Sequence, residues 1–431
     1  MLGNKLFKLY FLLILISTFT YRADAQSGIS SPYTSLGVGY LNNVNNLQNK
    51  SVGGIGIGTR FSSTINLFNP ASLTAIDTTS FVFEGAVFAN YTTMKTDYTS
   101  ETASTAGLDQ LLFGFPITKW WKSSIGLLPY SAVGYHVNDL SYKENIGTIN
   151  HEFEGQGGLS KFYWAHAFEP IKSISIGANV SYIFGTTNKV QNVTFPDTIY
   201  MLSTKLENMV SVGDLYVELG IQYYKEIKPN LLLVIGGVYN PKINMNADGT
   251  YLVRTYLGEI NDIEVFRDTI EYKASKGKVV IPESYGFGFS FNKRDHWLIG
   301  VDYKYDKWED YRSFERSDSL VNSHTIAAGG EYTPNYASNS YFNRVDYRLG
   351  ARFSQTYLNI RDAQINNYGI TFGIGLPLRS NAVRGSKSKV NIGFEAGKRG
   401  TMEKGLIQEN YFNFYLGVSV NEFWFFKRRY E

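Results

Sequence analysis

His296-Trp-Leu-Ile-Gly-Val-Asp-Tyr-Lys-Tyr-Asp306 switches character at every residue. Trp297, Ile299, Val301, Tyr303 and Tyr305 share one face, and His296, Leu298, Gly300, Asp302, Lys304 and Asp306 share the other. A period of two belongs to an extended strand whose faces meet different surroundings. Working outward, the pattern recurs in Leu215–Tyr223, Tyr347–Phe353, Tyr368–Leu376 and Tyr411–Val420. Read through the whole chain it predicts fourteen strands: 81–94, 106–116, 122–137, 158–168, 172–187, 204–226, 230–246, 277–291, 295–307, 322–333, 344–358, 366–378, 389–399 and 411–422. The fourth and seventh alternate least clearly.

The predicted connections also alternate. Longer ones (138–157, 188–203, 247–276) follow odd strands, and tight ones such as Glu169–Ile171 and Lys293–Asp295 follow even strands. Short turns on one rim and long loops on the other mark a transmembrane barrel with an even strand count. A soluble sandwich also alternates, but it does not explain that asymmetry, nor Tyr, Phe and Trp gathering near strand ends as in interfacial girdles. The expected fold is therefore all-β, a 14-stranded antiparallel transmembrane β-barrel. Composition agrees: aromatics reach 16% while charged residues are 18%. The absence of cysteine excludes disulfides, thiolate catalysis and thiolate metal sites. A formal net charge of +3 lacks the basic footprint of a nucleic-acid binder.

Two segments precede the wall. Lys5 and Lys8, the apolar-leaning run Leu9–Phe19 and Ala23-Asp24-Ala25 read as a secretory signal peptide over residues 1–25. The run is too short for a spanning helix. Residues 26–80 are then either a periplasmic extension or a lumen plug (hatch) for a barrel over 81–431. The small-residue stretch Ser51–Gly58 favours the plug, because glycine permits tight turns and close packing. It lacks the strand–helix context of a dinucleotide loop. Asn69-Pro70-Ala71 reads as a turn entering a short helix, with Asn69 as cap and Pro70 in its first position.

A segment ending in Asn69-Pro70-Ala71-Ser72-Leu73 before a fourteen-stranded barrel resembles the outer-membrane FadL/TodX long-chain fatty acid transporter family. The stretches Ser31-Pro32-Tyr33-Thr34-Ser35-Leu36-Gly37-Val38-Gly39 and Asn421–Tyr430 resemble a Bacteroidota lineage of it. The resemblance implies a bacterial outer-membrane location, a hatch-occluded lumen, and a gap at a kinked third strand through which an apolar ligand leaves sideways. The same superfamily includes barrels of the type IX secretion system that shuttle protein cargo.

The third strand carries Pro129 at its middle, flanked by Gly126 and Gly134. Proline cannot donate to the ladder and marks a local break in pairing, either a plain bulge or a lateral opening. Inward positions collect charges of both signs, among them Glu84, Asp214, Glu218, Asp302, Lys304, Glu331, Asp346, Arg348, Arg352 and Glu395. Most of these should satisfy one another. Arg348, Arg352, Glu218 and Asp302 are the candidates to meet a ligand head group. The five histidines show no metal or catalytic spacing, and only His296 with Ser290 on the neighbouring strand offers a nucleophile pair. No catalytic, metal or cofactor site is expected. The expected partners are outer-membrane lipids, a hydrophobic or amphipathic small molecule and, in a secretion or surface complex, a protein, but not nucleic acid. The sequence thus points to a transporter of fatty-acid-like compounds that captures them at the 138–157 and 247–276 loops. A non-transporting interaction barrel is the alternative, and the hatch-like N-terminus speaks against an open porin.

Overall fold

The computed structural model describes residues 29–42, 46–198, 201–260, 263–378 and 387–423. The expected signal peptide and most of Asn421–Tyr430 lie outside them. The wall comprises β1 (Ser80–Lys95), β2 (Ser100–Pro116), β3 (Trp121–Lys143), β4 (Gly147–Ile171), β5 (Ile174–Thr194) and β6 (Ser203–Lys228). Next come β7 (Leu231–Asn240, resuming as Ile243–Ile260) and β8 (Ile263–Ile281, resuming as Ser284–Lys293). The remainder is β9 (Trp297–Asp306), β10 (Ser323–Tyr332), β11 (Asp346–Ile360), β12 (Ala363–Pro377), β13 (Lys389–Gly400) and β14 (Gln408–Phe423). Every neighbour is antiparallel, and β14 returns to β1 from Gln408↔Lys95 to Phe423↔Ser80. The result is a closed 14-stranded barrel.

The outer surface decides between barrel and sandwich. Phe83, Val87 and Tyr91 on β1, Leu215 and Ile221 on β6, Phe287 and Phe289 on β8, and Ile370 and Phe372 on β12 are all exposed large apolar side chains. Such a belt greatly exceeds the apolar patch a soluble domain tolerates. Backbone polar groups have no water partner in hydrocarbon, so only closed pairing lets such a wall cross it. This is an outer-membrane barrel.

Most of the predicted long loops are strand. β3 and β4 continue through 138–157 to a tip at 144–146, and the 247–276 stretch is the hairpin of β7 and β8. About ten residues suffice to cross a bilayer, so the 23 residues of β3, 25 of β4 and 26 of β6 stand well beyond it. β9 and β10, at 10 residues each, do not. Proline marks the outer boundary: β7 breaks at Pro241 and β8 at Pro282, where Glu283 accepts from the hydroxyls of Tyr285 at 2.9 Å and Tyr239 at 3.4 Å. Above it the sequence loses its strict alternation, although Met245, Ala247, Val279 and Ile281 stay buried in an apolar cluster.

The segment before β1 is folded inside the wall. Ser51–Gly58 runs as turns, with Gly53 and Gly54 at φ +81° and +87°, which side chains resist. Gly53 donates to Thr371 Oγ1 at 2.7 Å, and Ser290 Oγ donates to the Gly58 carbonyl at 2.6 Å. The wall makes room by omission: a Cβ at Gly236 would overlap the Ile57 carbonyl, and one at Gly350 would overlap the Val52–Gly53 peptide. Gly236→Ala and Gly350→Ala should thus close the barrel while displacing the plug, raising single-channel conductance in planar bilayers. Gly237→Ala, where a Cβ finds only ordinary contact at 3.4 Å, should leave conductance unchanged.

Candidate functional site

The lumen filling has two layers, an upper arm (29–42) and a lower body (46–79). The body is built on Asn69, whose Oδ1 caps the 3₁₀ helix Pro70–Ala75 by accepting from Ala71 N at 3.1 Å. Its Nδ2 donates to the Ile57 carbonyl at 2.9 Å and to the wall carbonyls of Ile221 at 3.1 Å and Gly237 at 3.4 Å. Asn69 thus ties cap, plug and wall together. A second turn, α1 (Leu47–Lys50), is capped by Asn46, which accepts from Asn49 N at 2.8 Å.

Inward carboxylates hold this body through its backbone donors. Asp302 accepts from Gly56 N at 2.5 Å, Ile57 N at 2.7 Å and Gly58 N at 3.3 Å. Glu84 accepts from Ile65 N at 2.9 Å, and Lys50 pairs with Asp109 on β2. Arg60 stacks on Tyr224 with 4.0 Å from guanidinium to ring centre. Burial lowers the Arg60 pKa from its ordinary value, and Tyr224 and Glu169 oppose that shift. An apolar cluster of Ile65, Leu67, Leu73, Ile76, Leu112 and Tyr163 completes the anchorage.

The arm lies beneath the outer mouth. Tyr33 donates to the Ile407 carbonyl, Tyr357 to the Gly39 carbonyl, and Ser31 to Glu409 at 2.5 Å. Burial, with Glu409 close by, pushes the Tyr33 hydroxyl up to about 12, so it remains a donor. The β9–β10 connection folds inward above it, placing Trp308 4.6 Å from the ring of Tyr357 and burying Tyr311 and Leu320 in the same cluster. These side chains form an apolar cluster over the arm.

Between the layers lies a cavity of about 260 Å³, lined by Tyr40 and Leu41 of the arm, Leu67 and Phe68 of the body, and Tyr130, Tyr216, Val238 and Ile281 of the wall. Arg352 and Arg399 also border it. A second, polar space of about 490 Å³ opens below the body, toward the rim of short turns, among Arg60, Asp77, Glu169, Arg294 and Lys387.

The third strand behaves unlike its neighbours. β2 and β3 pair only from Leu111↔Leu127 to Pro116↔Lys122. Above that level β3 keeps β4 on one side, with a register shift between Pro129 and Ser131, and parts from β2 on the other. Its freed edge is taken by the arm: Tyr40↔Ala132 and Leu41↔Ser131 pair antiparallel, Asn42 N donates to the Tyr130 carbonyl at 3.0 Å and Ser31 N to the Gly134 carbonyl at 2.7 Å. Gly126 lies in the paired stretch, where a Cβ would meet the Leu111 carbonyl at 2.6 Å. Proline, bulge and arm thus meet at one level of the wall, beside the cavity.

Three of the four head-group candidates, Glu218, Asp302 and Arg352, border the cavity, and Arg348 stands apart from it. Arg348 is fully buried among Glu331 at 2.6 Å, Asn391 at 2.7 Å and Asp346 at 3.0 Å. Glu218 pairs with Lys161 and receives Asn179 at 3.2 Å. Asp302 serves the plug. Arg352 pairs with Glu395 at 2.5 Å and borders the cavity together with Arg399. Sequence reading missed Arg399, whose guanidinium lies 4.7 Å over the Tyr40 ring and bonds Glu409 at 2.7 Å; only its membership of β13 hinted at it. Ser290 donates to Gly58, whereas His296 Nδ1 lies 2.9 Å from the Thr333 carbonyl, so the two are separately engaged. Among the described residues no three His, Asp or Glu side chains gather to hold a metal.

A family model described as BamG matches residues 6–431. No curated protein matches the sequence. Among solved structures, the Pseudomonas putida toluene transporter TodX is 16% identical with a TM-score of 0.62, covering 90% of this chain and 100% of that one. The Ralstonia pickettii toluene transporter TbuX is 14% identical with a TM-score of 0.58, covering 91% and 99%. A Pseudomonas aeruginosa FadL homologue is 12% identical with a TM-score of 0.58, covering 89% and 99%. At these identities the likeness concerns the fold, which is FadL-like.

Replacing Asp302 with Asn turns an oxygen that receives two backbone donors into a donor itself. Asp302→Asn should weaken seating of the body by about 2–4 kcal/mol, the cost of stranding buried donors. The readout is protease cleavage within residues 46–79 at a lower urea concentration than in the wild type, with the barrel still migrating as folded on unheated gels.

Proposed function

The chain belongs to the BamG family, and from its lumen we propose that it passes hydrophobic or amphipathic small molecules, fatty-acid-like in character, across the outer membrane. One observation carries this reading. The apolar cavity between the plug layers is bordered by Leu41 and Tyr130, the same residues that stand at the parting of β2 from β3. A ligand in the cavity is therefore one residue layer from the bilayer. The lateral opening runs from Pro129 to Gly134, just above the paired stretch that holds Gly126, and the hatch motif Asn69-Pro70-Ala71 keeps the floor closed while a ligand leaves sideways.

The cavity suits this work. Tyr40, Tyr130, Tyr216, Leu67 and Phe68 offer apolar area, and Glu218, Lys304, Arg352 and Arg399 are among the polar side chains that border it, a mixture that suits an amphipathic molecule. Arg352 and Arg399 would meet a carboxylate head group if Glu395 and Glu409 yield part of their charge. TodX and TbuX are described as toluene transporters, which is consistent with an apolar cargo. Capture begins at the cluster of Trp308 and Tyr311 rather than in the hairpins first expected to receive it.

The interaction barrel remains the second reading, favoured by a specific observation. β3–β8 project far above the membrane, which suits a subunit of a secretion or surface complex. Uptake separates the two. Pro129→Val should let β3 regain a straight ladder, lowering uptake of a fluorescent fatty acid several-fold while heat-modifiable mobility stays unchanged. Uptake equal to that of the wild type would defeat the lateral exit, and no uptake by the wild type itself would defeat the transport reading.

A further inference from the structure

The polar space below the plug body lies off the apolar path, and it is lined by a cation without a counter-ion. Arg60 is buried there. Its Nη1 donates to Ser175 Oγ on β5 at 3.2 Å and to Gln222 Oε1 on β6 at 3.3 Å, and its guanidinium stacks on Tyr224. All three partners are neutral. Among the described residues no carboxylate forms an ion pair with Arg60. Glu169 acts on it through space, but accepts from the Tyr224 hydroxyl. A buried charge is costly unless an opposite charge meets it.

The other charges of the lining leave the same remainder. Asp346 is held by Lys389 and Arg348, Glu331 by Arg348, and Asp295 by Lys387 at 3.6 Å. These two groups are each neutral. What is left is Arg60, Lys293 and Arg294 against Asp77 and Glu169, an excess of one positive charge. Lys122, outside the lining, adds its own attraction on Asp77 and Glu169.

We propose that this space is a binding site for a single carboxylate, reached from the periplasm, with Arg60 as its anchor. A guanidinium presents planar N–H groups at the spacing of carboxylate oxygens. An excess of one charge suits a monoanion, whereas Asp77 and Glu169 would oppose a phosphate dianion. Ser62, Ser63, Thr74 and Asn292 line the same space of about 490 Å³, so the rest of the ligand is short or polar. A fatty chain belongs in the other cavity. A small organic acid and the C-terminal end of a polypeptide both carry this chemistry. Arg60 belongs to the plug, and Ser175, Gln222 and Tyr224 belong to the wall. An occupant therefore also holds one against the other, as any ligand of the folded state does.

The test is calorimetric titration of the purified full chain with four probes: butyrate, N-acetyl-dialanine, the C-terminal amide of that dipeptide, and inorganic phosphate. At least one of the two carboxylates should bind with a Kd of about 1 mM or tighter. The amide should not bind, and phosphate should bind more weakly. Butyrate binding marks a small acid as the source, and binding of the dipeptide alone marks a chain end; either supports the site. Hydrogen exchange of the wild type locates it, with protection expected at residues 60–63 and 292–296 rather than at 40–42. Arg60→Gln should weaken binding about tenfold or more, the worth of a charged hydrogen bond. Ser175→Asp keeps Arg60 but sets a resident carboxylate beside it, and should abolish binding. Both variants are checked by heat-modifiable mobility, and the wild-type exchange map decides the matter if neither folds. The proposal fails if neither carboxylate binds, if the amide binds equally or phosphate more tightly, if protection falls in the upper cavity, or if both folded variants keep wild-type affinity. None of these results bears on uptake through the apolar cavity, so the transport reading stands or falls separately.

Discussion

Hydrocarbon provides no hydrogen bonds, and the rest of this molecule is arranged around that fact. The ladder from β1 to β14 and back exists because every backbone group in the belt needs a partner. The one place where β2 and β3 separate is the place where the N-terminal arm comes to the wall. Proline is admitted at Pro129 within the belt because the bulge and the arm absorb its missing donor. At Pro241 and Pro282 it sits at the outer boundary, where water is available.

The lumen answers the same demand by different means. A plug of small residues carries many backbone donors into a space closed to bulk water, and wall carboxylates meet several of them. Asp302 and Glu84 do so directly, while Arg348 and Lys389 gather Glu331, Asp346 and Asn391 into a neutral group beside the plug. The near balance of basic and acidic residues in the chain is the compositional trace of this pairing.

Membrane-level structure was legible because each strand there separates lipid from lumen, and residues such as Ile299 and Asp302 declare their faces. The same contrast vanishes above Pro241, so 247–276 reads as a loop although it is strand. The fourth and seventh strands read least clearly because they run from one regime into the other. At the site, Pro129 and Asn69-Pro70-Ala71 drew notice through rules of local geometry. Their meeting with Tyr40, Leu41 and Arg399 depends on contacts hundreds of residues apart, which no local pattern encodes. For the same reason Arg348 and Arg352 look alike in sequence but differ in place: one is enclosed by partners and the other borders the cavity.

The body of the plug precedes β1 in the chain, yet the barrel is sealed by the joining of β14, the last strand, to β1. Wall glycines on β7 and β11 lie against plug backbone that would otherwise obstruct them. The wall thus encloses a core that precedes it in the chain, as a rolled sheet encloses a mandrel. The seam between the last strand and the first is the clasp of that enclosure.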